Sequence, residues 1–435
     1  MGISAECVSD LQAVQQSALR KTAWRFVPVL VLAYVFNDLD RTNVGFASLT
    51  MNKDLGLTAT QFGWGAGIMF ISYCVFEIPS NLAMYRFGAR RWIARIMISW
   101  GIAAAATMFA VGPYSFYFIR FMIGVAEAGF NPAVYFLFAQ WFPAQYRTRV
   151  LAWFLASIPV SSLIGGPLCG ILLQMHGFLG LAGWKWLFVI EGLPAVLTGI
   201  ATFYLLGDEP KTASWLTAAE RDALVTMLAE EKQDRPRKDL LAALKDVRVF
   251  ILAGIIFAFT LGSIGMAVWL PQILKGYGLS TLKIGFVSSI PYLFGVAASI
   301  IWARYAERSG RAVLNLTITT LTTAIGLVFS VLSGALLPAL VGITIGLIGL
   351  SSIRPVFWSI PPRFLTGIAA AGGLAFINSV GNLGGLVGPL MVGYLKDRTG
   401  SLRSGVLGMA VFMLLATVLA ASLRTLVSES KTKSA

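Results

Sequence analysis

The chain has 435 residues, of which 57% are hydrophobic and only 12% charged, and its mean hydropathy is +0.76. Soluble domains are about a quarter charged, so this composition excludes a water-soluble fold of this size and makes the bilayer the solvent. The net charge of +14 would suit nucleic acid, but the placement of the basic residues assigns it to the membrane surface instead.

A crossing needs about 20 mostly apolar residues. Taken in chain order, crossings are predicted at 24–49, 60–82, 92–111, 115–140, 148–173 and 185–206, then at 247–271, 282–303, 312–333, 336–358, 367–395 and 404–424. The amino-terminal segment has no short apolar core with a cleavage site, so the first crossing is read as a retained helix. The predicted fold is therefore an all-α membrane protein with twelve transmembrane helices. Its expected organisation is an N-terminal tail (1–22), a six-helix bundle (23–206), a linker (207–246), a second bundle (247–426) and a C-terminal tail (427–435). Thr217 and Glu220 have capping-box spacing, which starts a short surface helix in the linker. Cys7, Cys74 and Cys169 lie far apart and form neither a metal spacing nor a disulfide framework; no cofactor or metal is expected.

An even number of crossings puts both termini on one side. With the termini in the cytoplasm, the inner loops and tails carry 24 Lys and Arg and the outer loops seven, while Arg41, Arg120 and Arg354 lie inside spans. The positive-inside rule requires such an asymmetry, and the basic excess then orients the chain in a bacterial inner membrane against anionic lipid. A nucleic-acid partner is not expected, and the chain is expected to act as a monomer.

A repeat runs through the sequence. Gly56-Leu57-Thr58 with Gly63 matches Gly278-Leu279-Ser280 with Gly285, Arg86-Phe87-Gly88 matches Arg308-Ser309-Gly310, and Gly166-Pro167-Leu168 matches Gly388-Pro389-Leu390, all at an offset of 222. Two six-helix pseudo-repeats around a central midplane site are the architecture of alternating-access carriers.

The loop after the second span, Asn81 to Tyr85-Arg86-Phe87-Gly88-Ala89-Arg90-Arg91, resembles the signature loop of the major facilitator superfamily, with Asn81 in place of its usual glycine and Tyr85 in place of its acid. The second half keeps the acid in Glu307-Arg308-Ser309-Gly310-Arg311. Asp40-Arg41-Thr42-Asn43, Glu77-Ile78-Pro79-Ser80-Asn81, Arg120 with Gly124 and Glu127, Trp186 to Glu191-Gly192, and Asn378 to Asn382 resemble the anion:cation symporter branch. That resemblance implies proton-coupled import of an organic carboxylate and names no particular one. It also implies that Glu127 is a second protonatable acid, that Tyr73 contacts substrate, and that Asn382 holds substrate oxygens, with Asn378 four residues away on the same face. The signature loops assign gating or structural roles to Arg86, Arg90, Glu307 and Arg308, and Glu77 reads as a gate or loop anchor.

Charges at span depth cost a few kcal/mol or more each, so each needs a partner or a function. Arg41 offers a planar fork that fits a carboxylate in bidentate fashion. Asp40 beside it is placed to take and release a proton, opposed by Arg41 until a substrate anion occupies that arginine; uptake that stays proton-dependent in Asp40→Asn would refute this coupling. The alternative is a permanent Asp40–Arg41 or Glu127–Arg41 pair that only staples helices. Asp38 is either a third carboxylate tuning the site or a hydrated residue of the cavity wall. Arg120, Gly124, Glu127 and Asn131 recur on one face of the fourth span, with Arg120 read as structural. Arg354 either joins Arg41 around a dicarboxylate or snorkels to the interface. No histidine pair, cysteine cluster or phosphate loop points to an enzyme. A carboxylate exchanger or a drug or metabolite exporter of the same fold is the alternative to a symporter.

Overall fold

The computed structural model describes residues 5–230, 246–365 and 367–426. The N-terminal half is built from α1 (Ala5–Asp54), α2 (Ala59–Phe87), α3 (Ala89–Ala105), α4 (Pro113–Glu127), α5 (Phe130–Trp141), α6 (Ala144–Leu155), α7 (Ser157–Leu172) and α8 (Gly183–Leu205). The linker contributes α9 (Ala218–Glu230), and the C-terminal half comprises α10 (Val247–Lys275), α11 (Thr281–Ser309), α12 (Ala312–Leu332), α13 (Leu336–Phe357), α14 (Gly367–Thr399) and α15 (Leu402–Ser422). Among the described residues, eleven helical stretches are long and apolar enough to cross a membrane. The long α1, with Asp38, Asp40 and Arg41 in its apolar run, completes the twelve crossings. The fourth crossing is α4 and α5 together, and the fifth is α6 and α7.

The 222-residue offset is a structural repeat. Thr58 and Ser280 cap α2 and α11 by accepting from the backbone N–H three residues on, a contact that stabilises a helix by about 1 kcal/mol. Gly56 and Gly278, and again Gly88 and Gly310, take left-handed φ values between +64° and +87°, which a glycine adopts without strain. The seams between the halves repeat as well: α2 packs on α14, and α7 packs on α11. A Cβ on Gly63 would lie 2.3 Å from the Pro389 carbonyl oxygen, and one on Gly285 2.5 Å from that of Gly166. Glycine here lets the two backbones touch.

At one end of the bundle, the closed end, the halves are also hydrogen-bonded. Asp397 accepts from the Ala59 and Thr60 N–H groups at 3.1 and 2.7 Å. Gln272 donates to Ser48 at 2.8 Å, and Lys275 donates to the Leu49 carbonyl. Trp184, which its position near a span end would make an interfacial anchor, is instead 1% exposed and donates to Asp54 at 2.7 Å.

The linker helix starts where its capping box predicts. The Thr217 N–H donates to Glu220 at 2.9 Å, and Thr217 Oγ1 accepts from the Glu220 N–H at 3.2 Å. Glu220 also accepts from Ser17 and Lys21 of α1, at 2.7 and 3.0 Å. Burial raises the Glu220 pKa, but these donors and the Lys21 charge outweigh burial and hold the carboxyl at about 2. Beside it, Trp215 stacks on Trp141 at 5.5 Å, and the Arg25 guanidinium lies 4.3 Å from the Trp215 ring. The start of the linker is thus part of the N-terminal half.

Candidate functional site

α1 brings Tyr34, Asn37, Asp38, Asp40, Arg41 and Asn43 within three turns, and the 100° step of a helix sorts them onto two faces. Tyr34, Asp38 and Arg41, spaced four and three apart, turn toward the junction of the halves. Asp40 and Asn43, three apart, turn toward α3 and α8. Adjacent in sequence, Asp40 and Arg41 are therefore separated in space, and each has other partners.

Arg41 reaches across to α4. Its Nε donates to Glu127 Oε1 at 2.8 Å, and Nη2 donates to the same oxygen. The Glu127 side chain is 1% exposed while that of Arg41 is 21% exposed, so the arginine side of the pair stays accessible. The Tyr73 ring supports it at 5.5 Å and the Phe70 ring at 6.0 Å, within the range of a cation–π contact. Of the two ion pairs expected of these residues, the one formed is Glu127–Arg41.

Asp40 is 5% exposed and accepts from Asn43 Nδ2 at 2.9 Å and from Trp100 Nε1. The same Asn43 nitrogen donates to Glu191 Oε2 at 2.8 Å, and Cys169 Sγ donates to Glu191 Oε1 at 3.3 Å. Arg120 is 1% exposed. Its Nη2 contacts Met69 Sδ at 2.7 Å, and among the described residues Nε and Nη1 have no partner. It lies in the field of Asp40 and Glu127 without bonding either.

The fourth crossing is not one continuous helix. It breaks at Ala128-Gly129, directly after Glu127, with Gly129 at φ +87°. Ser80 of α2 donates to the freed Ala128 carbonyl at 2.5 Å, and Trp92 donates to Ser80 at 2.9 Å. Irregular backbone at membrane depth survives where neighbouring side chains satisfy it. The break corrects the expected continuous stripe: Arg120, Gly124 and Glu127 belong to α4, whereas Asn131 lies beyond it on α5.

Asp38, half-buried, accepts from Ser161 of α7. Across the junction, the charge of Arg354 on α13 reaches Tyr34, Tyr135 and Asp38. Arg354 is exposed, so both halves present an arginine to one region. Toward the closed end, a void of about 20 Å³ lies between Thr42 and Ser161 of one half and Ser288 and Tyr292 of the other. Asn382 of α14 is half-buried and lies beside Cys74 of α2, while Asn378 is exposed. Glu77 is half-buried one turn from Tyr73.

The signature-loop residues sit away from this cluster. Arg86, Glu307 and Arg308 are exposed. Arg90 pairs with Asp208 at 2.9 Å, so the acid that Tyr85 does not supply comes from just after the sixth crossing. Asp208 and Glu191 are the residues that sequence reasoning undervalued. Asp208 was legible only as part of a polar linker, and Glu191 as a motif residue for packing, for pairing with a cytoplasmic-half arginine, or for neither, whereas its hydrogen-bond partners among the described residues are Asn43 and Cys169.

Residues 30–389 match the Major Facilitator Superfamily. An Agrobacterium vitis protein named "Putative tartrate transporter" is 46% identical over 91% of this chain and 92% of its own length. A quinolone resistance transporter of Acinetobacter baumannii is 42% identical, over 93% of this chain and 94% of its own. The inner membrane transport protein RhmT of Escherichia coli is 35% identical over 95% and 96%. Among solved structures, a D-xylose–proton symporter superposes with a TM-score of 0.77 at 16% identity, covering 95% of this chain and 100% of that one. The chain belongs to the Major Facilitator Superfamily, and is a multi-pass membrane transporter, not an enzyme.

Proposed function

We propose that the protein imports a small organic dicarboxylate together with protons across a bacterial inner membrane by alternating access. The observation that carries this reading is the Arg41–Glu127 pair, buried on the acid side and open on the arginine side, with Arg354 facing the same region. A substrate carboxylate entering the site competes for the planar fork of Arg41. Glu127, displaced from its partner, is then a buried uncompensated charge, which is costly until it takes a proton. Anion binding and proton binding are coupled through that exchange, rather than through direct contact of Asp40 with Arg41. A second arginine fits a second carboxylate. By the positive-inside rule the closed end is periplasmic, so this conformation opens toward the cytoplasm. Asn382 and Tyr73 border the path and supply neutral polar contacts.

The tartrate-transporter name of the 46% identical relative agrees in substrate class. The quinolone resistance relative favours a second reading, export; quinolones also carry a carboxylate, so the same arginines would serve. Purified protein in proteoliposomes decides. Labelled tartrate and a panel of hydroxy, sugar and aromatic acids should accumulate only with an inward proton gradient. Absence of acid uptake together with efflux of quinolones or cationic dyes would overturn import.

A further inference from the structure

Three buried acids meet a buried and a half-buried arginine where α1, α3, α4, α7 and α8 come together: Asp40, Glu127 and Glu191 against Arg120 and Arg41. Their exposures are 5%, 1% and 5% for the acids and 1% for Arg120. Arg41 and Glu127 neutralise each other. Arg120 lies in the field of Asp40. Among the described residues Glu191 has no cation: its partners are the Asn43 amide, the Cys169 thiol and the repulsive neighbour Asp40. With every group ionised this buried cluster carries one uncompensated negative charge, and an interior of low dielectric disfavours that strongly.

A second observation lies at the bridge between the acids. Asn43 is fully buried and its nitrogen serves both carboxylates, while its Oδ1 has no donor among the described residues. A buried amide oxygen without a donor is rare. A carboxyl O–H on either neighbour is the donor that would satisfy it, directly or after the amide turns over.

We propose that Asp40 and Glu191 form a single proton-binding unit across Asn43, which holds one proton between the two carboxyls. Glu191 is thereby a third protonatable group of the transport cycle, beside Asp40 and Glu127. The step involves no redox change: one O–H bond is made at the unit on loading and broken on release, and the proton comes from and returns to water. This inference deepens the proton-coupled reading above and rests on it for its role in the cycle, although the proton inventory of the resting protein can be read without transport.

The test uses the full-length protein in proteoliposomes at neutral pH. Infrared difference spectroscopy should show a protonated-carboxyl C=O band that is absent in Glu191→Gln; the band persisting unchanged in that variant would show Glu191 ionised and overturn the proposal. Sharing predicts that Asp40→Asn, by removing the repulsive neighbour, makes the band titrate away at a proton concentration at least tenfold higher than in the wild type. A band indifferent to Asp40→Asn means burial alone protonates Glu191, which also overturns the shared unit. In uptake, Glu191→Gln should move the midpoint of the pH profile by at least tenfold in proton concentration, and an unmoved profile removes Glu191 from the cycle. A wild-type band without proton-dependent uptake would leave the unit standing and defeat the transport reading instead.

Discussion

Substituting Gly63→Ala or Gly285→Ala perturbs the two seams that hold the closed end. A Cβ would stand 2.3 Å from the Pro389 oxygen in one and 2.5 Å from the Gly166 oxygen in the other. Ordinary contact lies near 3.5 Å, so each seam must part by about 1 Å, and the obstructing atoms are backbone. Overpacking of this kind costs about 1–3 kcal/mol. The cost falls only on the conformation in which the seam is closed, so each variant should shift the balance between the two access states by roughly 5- to 150-fold. Two seams far apart should act nearly additively. Spin labels at Lys53 and Arg398, exposed at that end in opposite halves, would report the shift as growth of a longer-distance population, largest in the double variant. Initial uptake should fall in parallel. If the distance distribution and uptake of the double variant match the wild type, the seams do not govern access and the alternating-access argument built on them fails.

Further outcomes follow from the site and the linker. Arg41→Lys removes the bidentate fork and should raise the substrate KM roughly 10- to 100-fold, since hydrogen bonds to charged groups contribute about 1.5–3 kcal/mol; an unchanged KM in concentration-dependent uptake would place the anion elsewhere. Arg354→Gln should weaken dicarboxylates about tenfold or more while sparing monocarboxylates, and an equal effect on both classes refutes its pairing with a second acid group. The Glu220 carboxyl is held at about 2, below the ordinary value near 4.3. Its contribution to docking α9 on α1 is therefore full above that ordinary value and is lost as pH falls through the folded one. Protection of the α9 amides, taken relative to the intrinsic exchange rate at each pH, should hold from neutral pH to about 5 and fall toward pH 2. Release already near pH 6 would show that Glu220 is not the anchor.

The span pattern and the repeat were legible in the sequence because both depend on local chemistry. Apolar run length sets a crossing, and Gly56, Gly88, Gly278 and Gly310 mark turns that need left-handed backbone wherever the chain goes. Side-chain partnership was less legible. Asp40 and Arg41 read as a pair because they are neighbours, yet one residue of helix turns the second side chain by 100°, and the partners come from helices far away in sequence. The Arg41–Glu127 link was legible as one of several ways to neutralise buried charge, and Arg354 as an arginine with two roles open to it, substrate binding or snorkelling to the interface. The break at Ala128-Gly129 had only a glycine as its signal, in a chain with 44 of them. Glu191 lacked any sequence sign of Asn43 or Cys169 as partners, since that meeting is made by the packing of α1 and α7 on α8.

The docking of α9 on the start of α1 has a consequence for how strongly the halves must hold each other. With α9 docked on α1, the chain still joins the two halves covalently, so they meet as parts of one molecule. Two bodies so joined meet at an effective concentration on the order of millimolar. Their seams need only the affinity of a weak complex, which allows the same contacts to form and dissolve in every cycle without the halves ever losing one another.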